Sequence, residues 1–263
     1  MINLQSFLKK LKATAKVAKA AGLRQLEDGQ SRKLFDIGDP GDMCGIGFYG
    51  HDLRGAERGP YCIRLDNPPP DKGKYRCPPG NDDRYLYCLP GADKLAAAPL
   101  VLVESPKSVL AIASAAERSG RKVLPVAMNG CWGWKVKDAG AIVDLDLLKD
   151  RDVILCLDSN VATKRQVASA EKELAVELLC RVRVKSLLCS RLPLTVNGPD
   201  DFLAAHKDDK FWNVLDAAIE PWRLGGTFAS FEDYTKSTRA VIPHRFSATG
   251  HGCDVSRLAP RPR

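Results

Sequence analysis

No stretch of this sequence is long and apolar enough to span a bilayer. Its longest apolar run, Leu95 to Val103, is broken by Pro99 and stops at Glu104, well short of the roughly 18 residues a membrane helix needs. The first residues, MINLQSFLKKLKATAKVAKAAG, lack the apolar core and small-residue cleavage site of a secretory signal. Being acid-poor and amphipathic, this segment fits either an organelle transit peptide or a docking helix, and we read it as the latter. The nine cysteines are scattered and never form a CxxC pair, which excludes a zinc ribbon and a disulfide framework. They read as reduced, mostly buried thiols of a cytoplasmic protein. Histidine is scarce, at four residues. His244, His251 and Cys253 lie close together, but in a tail without strand or helix pattern, and we assign no metal site to them. The pattern G-x-x-x-x-G-K-[ST] is absent, so these residues carry no P-loop NTPase core. There is no internal repeat.

What is present describes a folded chain with a basic bias. Of 263 residues, 44% are hydrophobic and 27% charged, ordinary values that exclude wholesale disorder. The net charge of +8 is compatible with a polyanionic partner without requiring one. Residues 1–27 read as an amphipathic helix, with Leu4, Phe7, Leu8, Leu11, Ala15 and Ala18 at helical spacing, ending near Gly22. Residues 28–95 read as a small β-rich basic subdomain. Gly, Pro, Asp and Asn punctuate short apolar and aromatic pieces at 45–49, 61–65, 74–77 and 85–89. Residues 96–220 alternate strand and helix patterns. Strands are expected at 100–103, 123–128, 152–157 and 182–189, with helices at 108–119, 164–180 and 211–219. Near-continuous apolar strands between helices predict an α/β fold, with a mostly parallel sheet flanked by helices. Residues 221–263 read as a poorly ordered basic tail, with Arg223, Lys236, Arg239, Arg245, Arg257, Arg261 and Arg263 against Glu232, Asp233 and Asp254.

Gly45–Gly50 matches G-x-G-x-x-G, but it follows a turn-rich acidic segment instead of a strand, so a glycine-containing strand is the expectation. The strand-end acids carry more information. Glu104 and Asp158 each end an apolar run. Ligands of open α/β sheets sit at the carboxyl ends of strands. Two such carboxylates on neighbouring strands, ~4.8 Å apart, would repel unless a divalent cation relieved them, and Mg²⁺ takes one or two carboxylates plus phosphate oxygens and waters. Alternatively each acid caps the helix that follows it. Asp200 and Asp201 offer a third acidic position, or an N-terminal turn of a short helix. Lys107 and Lys164 stand near helix starts and suit an anionic substrate. Arg64, Lys72, Lys74, Arg76 and Arg84 interleave with Tyr61, Tyr75, Tyr85 and Tyr87. That pattern fits either a single-stranded nucleic-acid track or a solvated strand surface. Trp132 and Trp134 fit a packed turn better than a base-stacking platform.

From Leu100 to about His206 the chain resembles a TOPRIM domain, the fold shared by bacterial-type primases, topoisomerases and some nucleases. Such domains place a Glu after the first strand and an Asp-x-Asp after the third, here Glu104 and Asp158-Ser159-Asn160. Upstream, Lys74-Tyr75-Arg76-Cys77-Pro78 and Arg84-Tyr85-Leu86-Tyr87 resemble the segment leading into the TOPRIM part of bacterial primases. Residues 63–68, 130–134, 158–162 and 198–201 resemble a TOPRIM-like domain found beside helicases in plasmid, phage and integrated-element replication proteins. Two positions depart from the pattern. Asn160 replaces the second Asp, keeping an oxygen donor but losing a charge, and Ser105 stands where many relatives have glycine. These residues include no zinc-binding module.

The resemblance implies a Mg²⁺- or Mn²⁺-dependent primase-type nucleotidyltransferase of a mobile element. Glu104, Asp158 and Lys107 would be catalytic, and Glu104, Asp158, Asn160, Asp200 and Asp201 would form the metal set. Arg64, Lys74, Tyr75, Arg76, Arg84 and Lys164 would contact nucleic acid. Single-stranded DNA and nucleotides would be the partners, beside a replicative helicase. A catalytically weak DNA- or helicase-binding module is the alternative, and a nuclease the third.

Overall fold

The computed structural model describes residues 3–226, except 36, 39, 70–72, 79–83 and 137–139, together with residue 233. Lys72, the basic tail beyond 226 and the His244, His251 and Cys253 group therefore lie outside the described residues, apart from Asp233.

The N-terminal segment forms two helices where its periodicity predicted one, α1 (Leu4–Lys10) and α2 (Ala15–Ala21). Lys12 takes a left-handed φ of 50° between them, and Thr14 caps α2 through its side chain. The break has a tertiary cause. The Lys12 ammonium donates to the carbonyls of Leu203 and His206, at 2.8 and 3.0 Å, far along the chain. Gly22, in the left-handed region, ends α2 where the sequence placed the stop.

Next come β1 (Arg24–Leu26), α3 (Asp28–Phe35), β2 (Gly45–His51), β3 (Glu57–Leu65) and β4 (Tyr75–Arg76). The four strands form an antiparallel sheet in the order β1-β2-β3-β4. Gly45–Gly50 is indeed a strand, packed so tightly that a Cβ on Gly45 would stand 2.3 Å from the Arg64 carbonyl oxygen. The expected strand at 85–89 is reduced to isolated bridges. Tyr87 meets Ala127 and Cys88 meets His51, stitching the antiparallel sheet to the second one.

The second sheet contains β5 (Leu100–Val103), β6 (Leu124–Ala127), β9 (Asp152–Leu155) and β10 (Ser186–Cys189). Between β6 and β9 runs a small hairpin, β7 (Lys135–Val136) and β8 (Gly140–Ala141). All pairings in the second sheet are parallel, in the order β10-β9-β5-β6. Its helices are α4 (Pro106–Ser119), α5 (Arg165–Val176), α6 (Pro199–Ala205) and α7 (Asp208–Asp216). A π-helical turn, Glu177–Val182, extends α5 toward the predicted end.

Successive strand residues point to opposite faces, and the core divides accordingly. Leu100 and Leu102 pack with Leu155, Leu174 and Leu178 on the α5 face. Val101 and Val103 pack with Leu110, Ile112, Phe202 and Phe211 on the other face, together with Phe7 and Phe48 from the N-terminal part. Both faces of the sheet are therefore covered, as the apolar strands required. The turn from Asn129 to Trp134 is the packed one the sequence suggested. A Cβ on Gly133 would stand 1.7 Å from the Met128 carbonyl oxygen, and the Trp132 and Trp134 rings lie 6.3 Å apart beneath Lys135. Among the described residues, no helix is long and apolar enough to cross a membrane.

Candidate active site

Strand order determines where a ligand can enter. From β5 the chain crosses through α4 to β6 on one side. From β9 it crosses through α5 to β10 on the other side. The crossovers diverge between β5 and β9, and such a switch point opens a crevice at the strands' carboxyl ends. Glu104 and Asp158 emerge there from adjacent parallel strands, with Leu102 and Leu155 in register behind them.

Neither acid is used as a helix cap. Ser105 caps α4, its hydroxyl accepting the Ser108 N–H. Asp158 precedes the short 3₁₀ turn Ser159–Ala162 without a side-chain cap bond. Glu104 Oε1 instead accepts the Asp158 backbone N–H at 3.1 Å, and Asp158 Oδ2 accepts from the Asn197 amide at 2.7 Å. The loop bearing Asn197 is tied down by two further bonds from Ser159, to the carbonyls of Asn197 and Val196 at 2.7 and 2.6 Å. Gly198 lies against both remaining acids, since an added Cβ would stand 2.6 Å from Asp158 Oδ1 and 3.2 Å from Asp200 Oδ1.

The electrostatics follow from this crowding. Burial, then the charges of Glu104 and Asp200, push the Asp158 carboxyl up to about 7. Lys107 and Asn197 oppose the rise. Burial also raises Glu104, against backbone N–H groups of Asp158 and Cys131 and the charge of Lys164. A carboxyl that binds its proton more tightly when folded lowers stability as pH rises from the ordinary carboxylate range to its folded value. Without divalent ions, Asp158→Asn should therefore stabilise the fold near pH 8 by on the order of 1–3 kcal/mol. The gain should shrink to nothing toward pH 4, as checked by urea denaturation in EDTA across that range. An equal effect at both ends would refute this account of the site.

Asp200 behaves differently from the other two acids. It is 3% exposed and fully engaged, accepting from Lys107 Nζ at 2.6 Å and from the Ser108 hydroxyl at 2.8 Å. Asp201 is half-buried in the first turn of α6. The Asn160 side-chain oxygen is buried without a hydrogen-bond partner. Among the described residues, no three His, Cys, Asp or Glu side chains are grouped to hold a metal ion. The donor set that does face the crevice is two mutually repelling carboxylates. With an orphaned amide oxygen on the same loop, it fits a hard divalent cation that draws its other ligands from phosphate and water.

The basic and aromatic candidates separate into two places. Arg64 and Tyr75 are opposed across β3 and β4, and Tyr75 feels the charges of Asp200 and Asp158. The Tyr75 hydroxyl and Arg64 Nη1 are both buried without hydrogen-bond partners, and the Arg64 guanidinium lies over the Phe7 ring. Arg76 turns back on the carbonyls of Gly73 and Tyr75, and Lys74 is exposed. Lys164 is exposed at the start of α5, acting on Glu104. Arg84 belongs to a separate cleft of about 640 Å³, shared with Arg54, Arg58, Asp52 and Asp144. Sequence reasoning missed Ser108, Asn197 and the packing role of Gly198. Only the position of Asn197-Gly198 beside Asp200 in one motif pointed toward them.

No protein-family model matches the chain, and no curated protein matches it. Its fold is that of a bacterial primase domain. The RNA polymerase domain of Mycobacterium tuberculosis primase DnaG superposes with a TM-score of 0.54 at 13% identity, covering 91% of this chain and 90% of that one. The same domain in complex with double-stranded DNA gives 0.53 at 14% identity, covering 90% and 82%. In complex with a double-stranded DNA oligomer bearing a 6-nucleotide overhang it gives 0.51 at 15% identity, covering 91% and 82%.

Proposed function

We propose that the chain is a primase-type nucleotidyltransferase of DNA replication, joining nucleotides on a single-stranded DNA template at the crevice between β5 and β9. The observation that carries this reading is the pairing of Glu104 with Asp158 at the switch point, neither side chain being used as a helix cap. Glu104 and Asp158 would hold Mg²⁺ or Mn²⁺, with Asn160 available as a neutral oxygen donor. A divalent ion bound there supplies Lewis-acid polarisation of a phosphate and neutralises charge developing during phosphoryl transfer. The chain's own groups do the rest. Lys107 keeps a positive charge beside the acids for the substrate phosphates, and Lys164 adds a second from the start of α5. Arg64, Lys74, Tyr75, Arg76 and, from the separate cleft, Arg84 offer charge and stacking surface to a template strand.

The fold shared with the DnaG domain, and that domain's complexes with DNA, support this reading. A helicase partner, a mobile-element setting and a cytoplasmic location belong to the same proposal. The test is template-dependent incorporation of labelled nucleotides on single-stranded DNA in Mg²⁺ and in Mn²⁺, with a nuclease assay beside it. Product that needs template and metal supports the reading, whereas DNA cleavage without synthesis replaces it with the nuclease.

Asn160 favours a second reading, a binding module with little catalysis, because the loop has one carboxylate where the family pattern has two. DNA binding unchanged by EDTA and by Asp158→Ala, without any priming, would establish that module.

A further inference from the structure

The third acid of the cluster already has a cation. Lys107 stands in the first turn of α4 and Asp200 in the first turn of α6, and their side chains meet at 2.6 Å with 23% and 4% exposure. Ser108, next to Lys107, takes the other oxygen of Asp200. Both Asp200 oxygens are thereby committed to α4. Glu104 and Asp158 make no ion pair among the described residues, and the charge of Glu104 acts on Asp158. The Lys107 charge acts on Asp158 as well as on Asp200.

We propose that Lys107 is a resident counter-cation that keeps Asp200 out of the metal set, so that the resting chain binds a divalent ion weakly. Two consequences follow from charge alone. Lys107 repels an incoming dication at close range, an interaction strong where solvent is partly excluded. It also withholds a third carboxylate that would otherwise strengthen a hard-cation site. Affinity then depends on ligands brought from outside, and phosphate oxygens of a nucleotide are the class that fits. Asp200 acts through Lys107 and is a positioning residue. The inference rests on the metal-centre reading above.

Mn²⁺ titration of the full chain without nucleotide, with free ion read by electron paramagnetic resonance, tests it directly. Lys107→Met should bind Mn²⁺ about tenfold more tightly or better, on the order of 1.4 kcal/mol, and Lys107→Gln should do the same. Lys107→Arg should stay as weak as wild type. Combining Lys107→Met with Asp200→Asn should return most of the gain, because the freed carboxylate is then gone. Unchanged or weaker binding in both Lys107→Met and Lys107→Gln overturns the inference. Glu104→Ala separates the two levels of argument. If it abolishes wild-type Mn²⁺ binding while the Lys107 variants show no gain, only the role of Lys107 fails. If it leaves binding untouched, the metal centre fails and this inference with it.

Discussion

Glu104→Ala should reduce template-dependent nucleotide incorporation by on the order of 10²–10³, the usual cost of removing one group from a preorganised electrostatic site. The size follows from position. Glu104 is half-buried at the end of β5, and its carboxylate receives the N–H of Asp158 from the neighbouring strand. Alanine removes one of the two strand-end carboxylates and leaves that N–H without its acceptor. Glu104→Gln isolates the charge, because its amide oxygen still accepts the N–H while no longer attracting a cation. It should lose nearly as much activity as alanine does. Folding should survive both changes. Removing one of two repelling acids relieves Asp158, so stability in EDTA, read by urea denaturation, should not fall by the roughly 3–5 kcal/mol that breaking a matched buried ion pair costs. Priming by a folded Glu104→Ala protein at near wild-type rates would remove the crevice from consideration.

The features that were legible in the sequence are local. Leu100–Glu104 and Asp152–Asp158 each read as an apolar strand running into an acid, because the alternation and the carboxylate are both within a few residues. Their adjacency was not legible, since the order β10-β9-β5-β6 is settled by which faces α4 and α5 cover. The same distance effect explains the other differences. The heptad-like run through Leu11 and Ala15 continues the helical period, and the break coincides with distant contacts, from Lys12 to Leu203 and His206 and from Arg118 and Ser114 to residues 12 and 14. Helix α3 was missed because Asp28–Phe35 is mostly polar and reads as a turn-rich segment. Residues 85–89 have strand character, but their partners, His51 and Ala127, lie in two different sheets. Asp200 reads in the sequence as a third acid beside the strand ends, and its bond to Lys107, 93 positions away, is not legible there. A run of acids says where negative charge collects. It does not say which acid has already been neutralised by a lysine from another helix.

Gly198→Ala should lower activity about as far as losing a site residue, near 10²-fold, without touching any group that does chemistry. A misplacement of about 1 Å at a reacting centre costs this much. Backbone conformation is no obstacle, because Gly198 has a φ of −132°, which any residue adopts. The effect is purely one of space. The new methyl would stand 2.6 Å from Asp158 Oδ1 and 3.4 Å from its Cγ, and 3.2 Å from Asp200 Oδ1. Asp200 cannot yield easily, held as it is by Lys107 and Ser108. Asp158 must therefore move, either breaking the Asn197 bond at 2.7 Å or carrying the whole 196–198 loop away from Ser159. Stability should fall by only about 1–3 kcal/mol, as for overpacking elsewhere, so the protein remains folded while the carboxylate pair is spoiled. Mn²⁺ affinity should drop together with incorporation, because the displaced group is a proposed ligand. Full activity and full Mn²⁺ affinity in Gly198→Ala would mean that Asp158 has room to move, and that the close approach of Asn197-Gly198 does not set its position.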